Sequence, residues 1–197
     1  MEDLRKALFA SIPALVGVLA TGLLGAGLTF LWNVQLKERE LNLAASRRLH
    51  DLYGEFFAVW KLWNYYIGDI GTHVGPAFFP QASRWELLKR ACAAEAGIEA
   101  LLIELSSSRN LKPTAIEDLG KFRQVWQQLR ESIRDDHALD WNYSEHPAYM
   151  AFKQLAPRVA NLVRTGENTQ GKTAQQRASV WPEITSGKFA KWWLDKQ

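Results

Sequence analysis

ALFASIPALVGVLATGLLGAGLTFLWNVQL, residues Ala7–Leu36, runs for thirty positions without an ionisable side chain. As an α-helix it would be about 45 Å long, against the roughly 30 Å of hydrocarbon in a bilayer. Its reading decides whether the rest of the chain is tied to a lipid surface. A cleaved signal peptide has an apolar core of only about 7–15 residues, and no A-x-A cleavage signal precedes a domain start here. The stretch therefore predicts a transmembrane helix. Pro13 falls in its first turns, where a helix tolerates proline best, and Trp32 falls at the far end, where an indole prefers the headgroup region.

Arg5 and Lys6 precede the span, whereas Lys37, Arg39, Arg47 and Arg48 follow it, so the positive-inside rule predicts a single-pass protein with a cytoplasmic C-terminal domain. Within the span, Ala10, Ala14, Gly17, Thr21 and Gly25 recur at spacings of three and four, stacking small residues on one face where a second helix can approach. Membrane lipid and a second copy of the chain are the partners this implies.

The remaining composition fits one domain with appendages. The chain has 197 residues, nine tryptophans and the single cysteine Cys92, expected to be a small buried side chain; no intramolecular disulfide can form. The net charge of +3 splits into 0 over residues 1–36, −1 over 37–157 and +4 over 158–197, which puts the basic character in the tail.

After Leu36 the helix is expected to continue. Leu41, Ala45, Leu49, Leu52, Phe56, Trp60, Trp63 and Ile67 keep a three-and-four spacing, while Glu38, Arg39, Arg48, Asp51, Glu55 and Lys61 take the other faces. Gly68–Pro80 reads as a loop by its glycines and prolines. A second helix is expected from Ser83, through the capping box SRWE, with little bulk over Ala91–Gly97. A third is expected from Thr114 with Glu117 as its box partner, burying Leu119, Phe122, Trp126, Leu129 and Ile133. The fourth, from Ala148, presents Tyr149, Phe152, Leu155, Val159 and Leu162, with a bend at Pro157. No segment alternates with period two. The expected fold is all-α: a membrane anchor (1–36), a cytoplasmic bundle of about four helices (37–164), and a polar linker with a basic aromatic C-terminal segment (165–197).

Several motifs invite chemistry. Gly166–Thr173 spells G-x-x-x-x-G-K-T, but a phosphate-binding loop needs a buried strand leading in and further parallel strands after it. The approach reads as an amphipathic helix and only 24 residues follow, so no ATP and no other cofactor is expected. Asp135, Asp136, His137, Asp140 and His146 match no defined metal-ligand spacing, and no metal is expected. SGKFAKWWLDKQ at the C-terminus interleaves Phe189, Trp192 and Trp193 with Lys188, Lys191 and Lys196. Such a segment docks on the bundle, lies in a headgroup layer, or stacks on single-stranded nucleic acid. With Trp32, Trp192 and Trp193 are the candidate membrane-interface residues.

Arg130 and His137 form R-x-x-x-x-x-x-H, which resembles the R-x(4–6)-H signature of the HEPN family of helical ribonucleases, in which a dimer brings two such pairs together on RNA. Glu131 stands where that family commonly has asparagine or aspartate. The layout of one membrane helix followed by a small helical domain is similar to membrane-anchored effectors of bacterial anti-phage systems. These include the HEPN-like membrane protein that accompanies one class of RNA-guided RNA-cleaving CRISPR enzymes. YGEFFAVWKLWN looks like a segment of uncharacterised bacterial membrane proteins. The expectation is thus a non-enzymatic, self-associating effector or signal relay of the bacterial inner membrane, with antiviral defence as the implied setting and a cytosolic protein or RNA as a further partner. The alternatives are a HEPN-type ribonuclease using Arg130 and His137, and a passive tether.

Overall fold

The computed structural model describes the backbone of residues 2–71, 81–139, 141, 145–165, 178–190 and 192, with side chains described for 21–67, 82–139 and the later stretches. The elements are α1 (Glu2–Gly71), α2 (Gln81–Ser108), α3 (Pro113–Arg134), α4 (Pro147–Thr165) and α5 (Val180–Ile184), then a 3₁₀ turn at Gly187–Phe189. Among the described residues there is no strand, so the class is all-α as the periodicity predicted. The chain divides into two units, residues 1–41 and 42–197, later than the expected boundary after Leu36.

In the first unit every described residue from Thr21 to Leu41 is exposed. Leu41, expected to open the buried stripe, is 62% exposed and belongs to this unit. Among the described residues no helix is long and apolar enough to cross a membrane. Residues 7–20 of the expected span lie outside those whose side chains are described.

The second unit is built on the later part of α1. Ala45, Leu49, Phe56, Val59, Trp60 and Trp63 are buried on one helical face. The Phe56 ring lies 5.0 Å from Trp126 of α3 and 5.3 Å from Phe152 of α4. Trp141, between α3 and α4, closes the cluster at 5.5 Å from Phe152. Large rings at such separations combine area burial with favourable edge and offset contacts. The expected α3 stripe from Leu119 to Ile133 is buried throughout, and α4 buries Phe152, Leu155, Val159 and Leu162. The scarcity of bulk on α2 is used at Gly97, where an added Cβ would come within 2.6 Å of Leu52.

Helix boundaries depart from the expected caps. α1 continues through Gly68 to Gly71, while residues 72–80 of the expected loop lie outside the described residues. α2 begins at Gln81, which puts Ser83 inside the helix. α3 begins at Pro113 with Lys112 as N-cap and no side-chain cap bond, in place of the Thr114 box. A proline at the first helical position has a preset φ and lacks an N–H that would be unpaired there anyway, so it starts the helix by itself. Cys92 is exposed rather than buried, because Ala91 and Ala94 take the inward positions.

Arginines fasten the helix ends and seams. Arg84, near the start of α2, donates to the carbonyls of Ile133 and Arg134 at the end of α3. Arg109, just past the end of α2, donates to Leu162 O and Val163 O at the end of α4 and to Asn42 Oδ1 on α1. The last carbonyls of a helix have no intrahelical partner and carry the negative end of its dipole, so a guanidinium satisfies both needs. Carboxylate pairs tie the seams: Glu55 to Arg90 (α1–α2), Glu99 to Arg123 (α2–α3) and Asp118 to Arg158 (α3–α4).

Burial pushes the Arg109 pKa below its ordinary value, but the carbonyls it serves keep it a fixed donor. We expect Arg109→Ala to cost about 2 kcal/mol of stability, because it deprives the Leu162 and Val163 carbonyls and Asn42 Oδ1 of the three hydrogen bonds that Arg109 donates. Arg158→Ala, at a side chain 60% exposed, should cost only ~0.5 kcal/mol. Urea melts followed by tryptophan fluorescence compare the two. The Arg90 hydrogen bond holds the Glu55 carboxyl below the usual carboxylate range. A depressed folded pKa contributes stability that is present above the unfolded pKa and lost as pH falls through the folded one. Glu55→Gln should therefore be less stable than the parent at pH 7, and the two stabilities should converge as pH falls through the depressed folded pKa of Glu55.

Candidate functional site

Within the second unit, α1 and α4 leave a groove of about 570 Å³ between them. That lies within the roughly 300–1,000 Å³ of ligand clefts. Small residues open it: Ala156 and Ala160, one turn apart on α4, face Ser46 on α1. Its floor is apolar, formed by the buried Leu49 and Phe122. Pro157 also lines it, and because proline has no N–H, the Lys153 carbonyl one turn earlier lacks its usual intrahelical donor.

The groove's rim is polar and basic. His50 and Tyr53 come from α1, and Lys153, Asn161 and Arg164 from α4; among the described residues no carboxylate lines the groove. Arg164 reaches Asn161 Oδ1 at 3.4 Å, and the Lys153 ammonium lies 5.3 Å from the Tyr149 ring centre. Burial, with a smaller contribution from Tyr149, raises the Tyr53 phenol above its ordinary pKa, so it stays protonated and can donate or accept a hydrogen bond. The arrangement offers positive potential over an apolar floor.

The expected catalytic pair has structural partners. Arg130 Nε donates to a carboxylate oxygen of Glu95, which is 9% exposed, and Arg130 lies 3.7 Å from Glu131. His137 is used through its backbone. Its N–H donates to Ser132 O beyond the end of α3, and its carbonyl accepts from Trp63 Nε1 at 2.9 Å. Asp136 before it has φ 59°, the left-handed turn that commonly ends a helix, and aspartate tolerates it better than most residues. The His137 ring is exposed.

The neighbouring acidic and imidazole residues are likewise engaged. Asp135 is bidentate with Arg134, Asp136 lies 3.6 Å from Arg84, and His146 Nδ1 accepts from the Ala148 N–H in the first turn of α4. Among the described residues no three His, Cys, Asp or Glu side chains gather as metal ligands; Asp140 lies outside them. Gly166–Thr173 also lies outside the described residues, and the element leading into it is helix α4.

Trp192, a candidate membrane-interface residue, is buried. Its Nε1–H donates to Lys121 O at 2.9 Å, and Phe189 occupies the space over Gly120, where a Cβ would come within 2.2 Å of the ring. Trp193 lies outside the described residues. Trp32 is 63% exposed, and Thr21 and Gly25 are exposed; the side chains of Ala10, Ala14 and Gly17 are not among those described.

No family model, curated protein or solved structure matches the chain. The groove residues His50, Tyr53, Lys153 and Arg164 escaped the sequence reading because they form no motif. The available signal was the A-P-x-x-A run of Ala156–Ala160 between two cations of α4.

If Arg130 serves the α2–α3 seam, its loss is a packing defect. We expect Arg130→Leu to cost about 2 kcal/mol by stranding Glu95, and the double variant Arg130→Leu with Glu95→Leu to recover most of it. A double-mutant cycle of urea melts reads this coupling.

Proposed function

We propose that this chain is a membrane-anchored, self-associating helical protein that acts without enzymatic chemistry, as an effector or signal relay at the bacterial inner membrane. One observation carries the reading: between Thr21 and Leu36 the apolar side chains point outward all round α1. Leu23 is 74% exposed, Leu24 69%, Leu28 68% and Phe30 68%. A helix that is apolar on every side is stable only when something covers it, and lipid covers all faces at once. Polar groups in the stretch are compatible with this. The Thr29 hydroxyl donates to Gly25 O at 2.8 Å, within its own helix.

Self-association draws on the same stretch. A Cβ placed on Gly22, Gly25 or Gly27 would meet nothing within 4 Å, so a second helix can approach closely there. The cations Lys37, Arg39, Arg47 and Arg48 support a cytoplasmic bundle. The relay role, and a setting in phage defence, rest on the likeness of layout to small membrane effectors.

The tests are carbonate extraction of membranes and cross-linking of the detergent-purified protein. We expect the chain to stay in the membrane pellet and to form a cross-linked ladder. Gly25→Leu, alone or with Gly17→Leu, should weaken association roughly tenfold, the equivalent of ~1.4 kcal/mol. Release into the soluble fraction without detergent refutes the anchor. A monomer indifferent to both substitutions refutes the assembly face.

A further inference from the structure

We propose that the surface of α3 around Gly120 is a peptide site which, in the assembled protein, takes the C-terminal segment of a second copy, each chain inserting Phe189 and Trp192 into its neighbour. The assembly itself rests on the self-association proposed above.

The segment has the makeup of a docked peptide rather than of a bundle helix. α5 has five residues and the 3₁₀ turn three, and neither carries a side-chain cap. Helices this short do not persist alone in water, so their order comes from the surface they rest on. Val180, Ile184, Phe189 and Trp192 are all buried there. Phe189 fills the notch left by the missing side chain of Gly120. The Trp192 indole N–H donates to Lys121 O, and the Lys121 ammonium lies 5.7 Å from the Trp192 ring centre. Recognition therefore rests on two rings three positions apart and on a notch that no residue larger than glycine leaves open.

Notch and rings are the same in every copy, so a second copy is a partner that fits without any new chemistry. Chain length puts it within reach. Arg158 of α4 pairs with Asp118, two residues before Gly120, and α4 ends seven residues later at Thr165, about 10 Å along its axis. Residues 166–177 then supply twelve positions, up to roughly 40 Å of extended chain, several times the width of a helix. Returning to the same α3 uses only part of that reach. Exchange replaces each contact with an identical one, and copies held together by their anchors present the neighbouring notch at high effective concentration.

The test co-expresses two full-length variants, Lys121→Arg and Lys188→Arg. The detergent-purified mixture is treated with an amine-reactive cross-linker and mapped by mass spectrometry. Lys121 and Lys188 line one recess, and in this mixture a link between them joins the α3 of one copy to the segment of another. We expect that link at about a quarter of its yield in the parent protein, the statistical share for exchange within randomly assorted pairs, and none from either variant alone. Gly120→Leu in the Lys188→Arg copy should lower it about tenfold. Phe189→Ala with Trp192→Ala in the Lys121→Arg copy leaves α3 intact and should lower it as much. Circular dichroism confirms that each variant is folded. Absence of the link in the co-expressed pair, or a link that survives both changes, overturns the proposal. Lys37–Lys37 links form only between copies and report on self-association separately. If they are present without the Lys121–Lys188 link, the copies associate without exchanging segments; if both are absent, self-association has failed as well.

Discussion

The aromatic face of α1 is the constraint on which the rest of the second unit depends. Phe56, Trp60 and Trp63 are almost wholly buried, and rings from α3, α4 and the connection between them close around Phe56. Each such side chain contributes on the order of 2–3 kcal/mol by leaving water. No other described helix carries so many large rings on one face. Removing the face would uncover the rings of α3 and α4 that close on it, although α3 also packs directly against α2 and α4.

Around that core the polar groups are arranged to hold angles rather than to supply the driving force. Arg84 and Arg109, at opposite ends of α2, reach the terminal carbonyls of α3 and α4. The planar guanidinium suits this role because its donors point in fixed directions, which a lysine ammonium does not offer. The Arg130–Glu95 pair belongs to the same system. The arginine is turned toward α2, and His137 contributes its peptide groups to the end of α3. A ring-exposed histidine and an ion-paired arginine seven positions apart in sequence look alike whether they meet or not.

Two features of the chain remain unabsorbed by this packing. The stretch Thr21–Leu36 exposes leucine, phenylalanine and tryptophan without a partner among the described residues, a state water does not favour. The α1–α4 groove exposes an apolar floor beneath a basic rim. The C-terminal segment is the opposite case, since Phe189 and Trp192 cover the Gly120 surface of α3 and add aromatic area to the bundle.

Periodicity alone determined the all-α class and most of the stripes on α1, α3 and α4. These follow from local rules: apolar spacing of three and four places side chains on one face whatever the neighbours are. The charge-free run from Ala7 to Leu36 was equally legible, because hydropathy is a property of the segment. What only the tertiary structure decided is which surfaces meet. Lys112 with Pro113, not Thr114, starts α3, and Leu41 falls outside the stripe it continues in sequence. Trp192 is drawn onto α3, Glu95 pairs with Arg130, and His50 and Tyr53 come to face Lys153 and Arg164 across a hundred residues of chain. Such pairings carry no local signature, because their energy exists only after the helices have packed and removed the water between them.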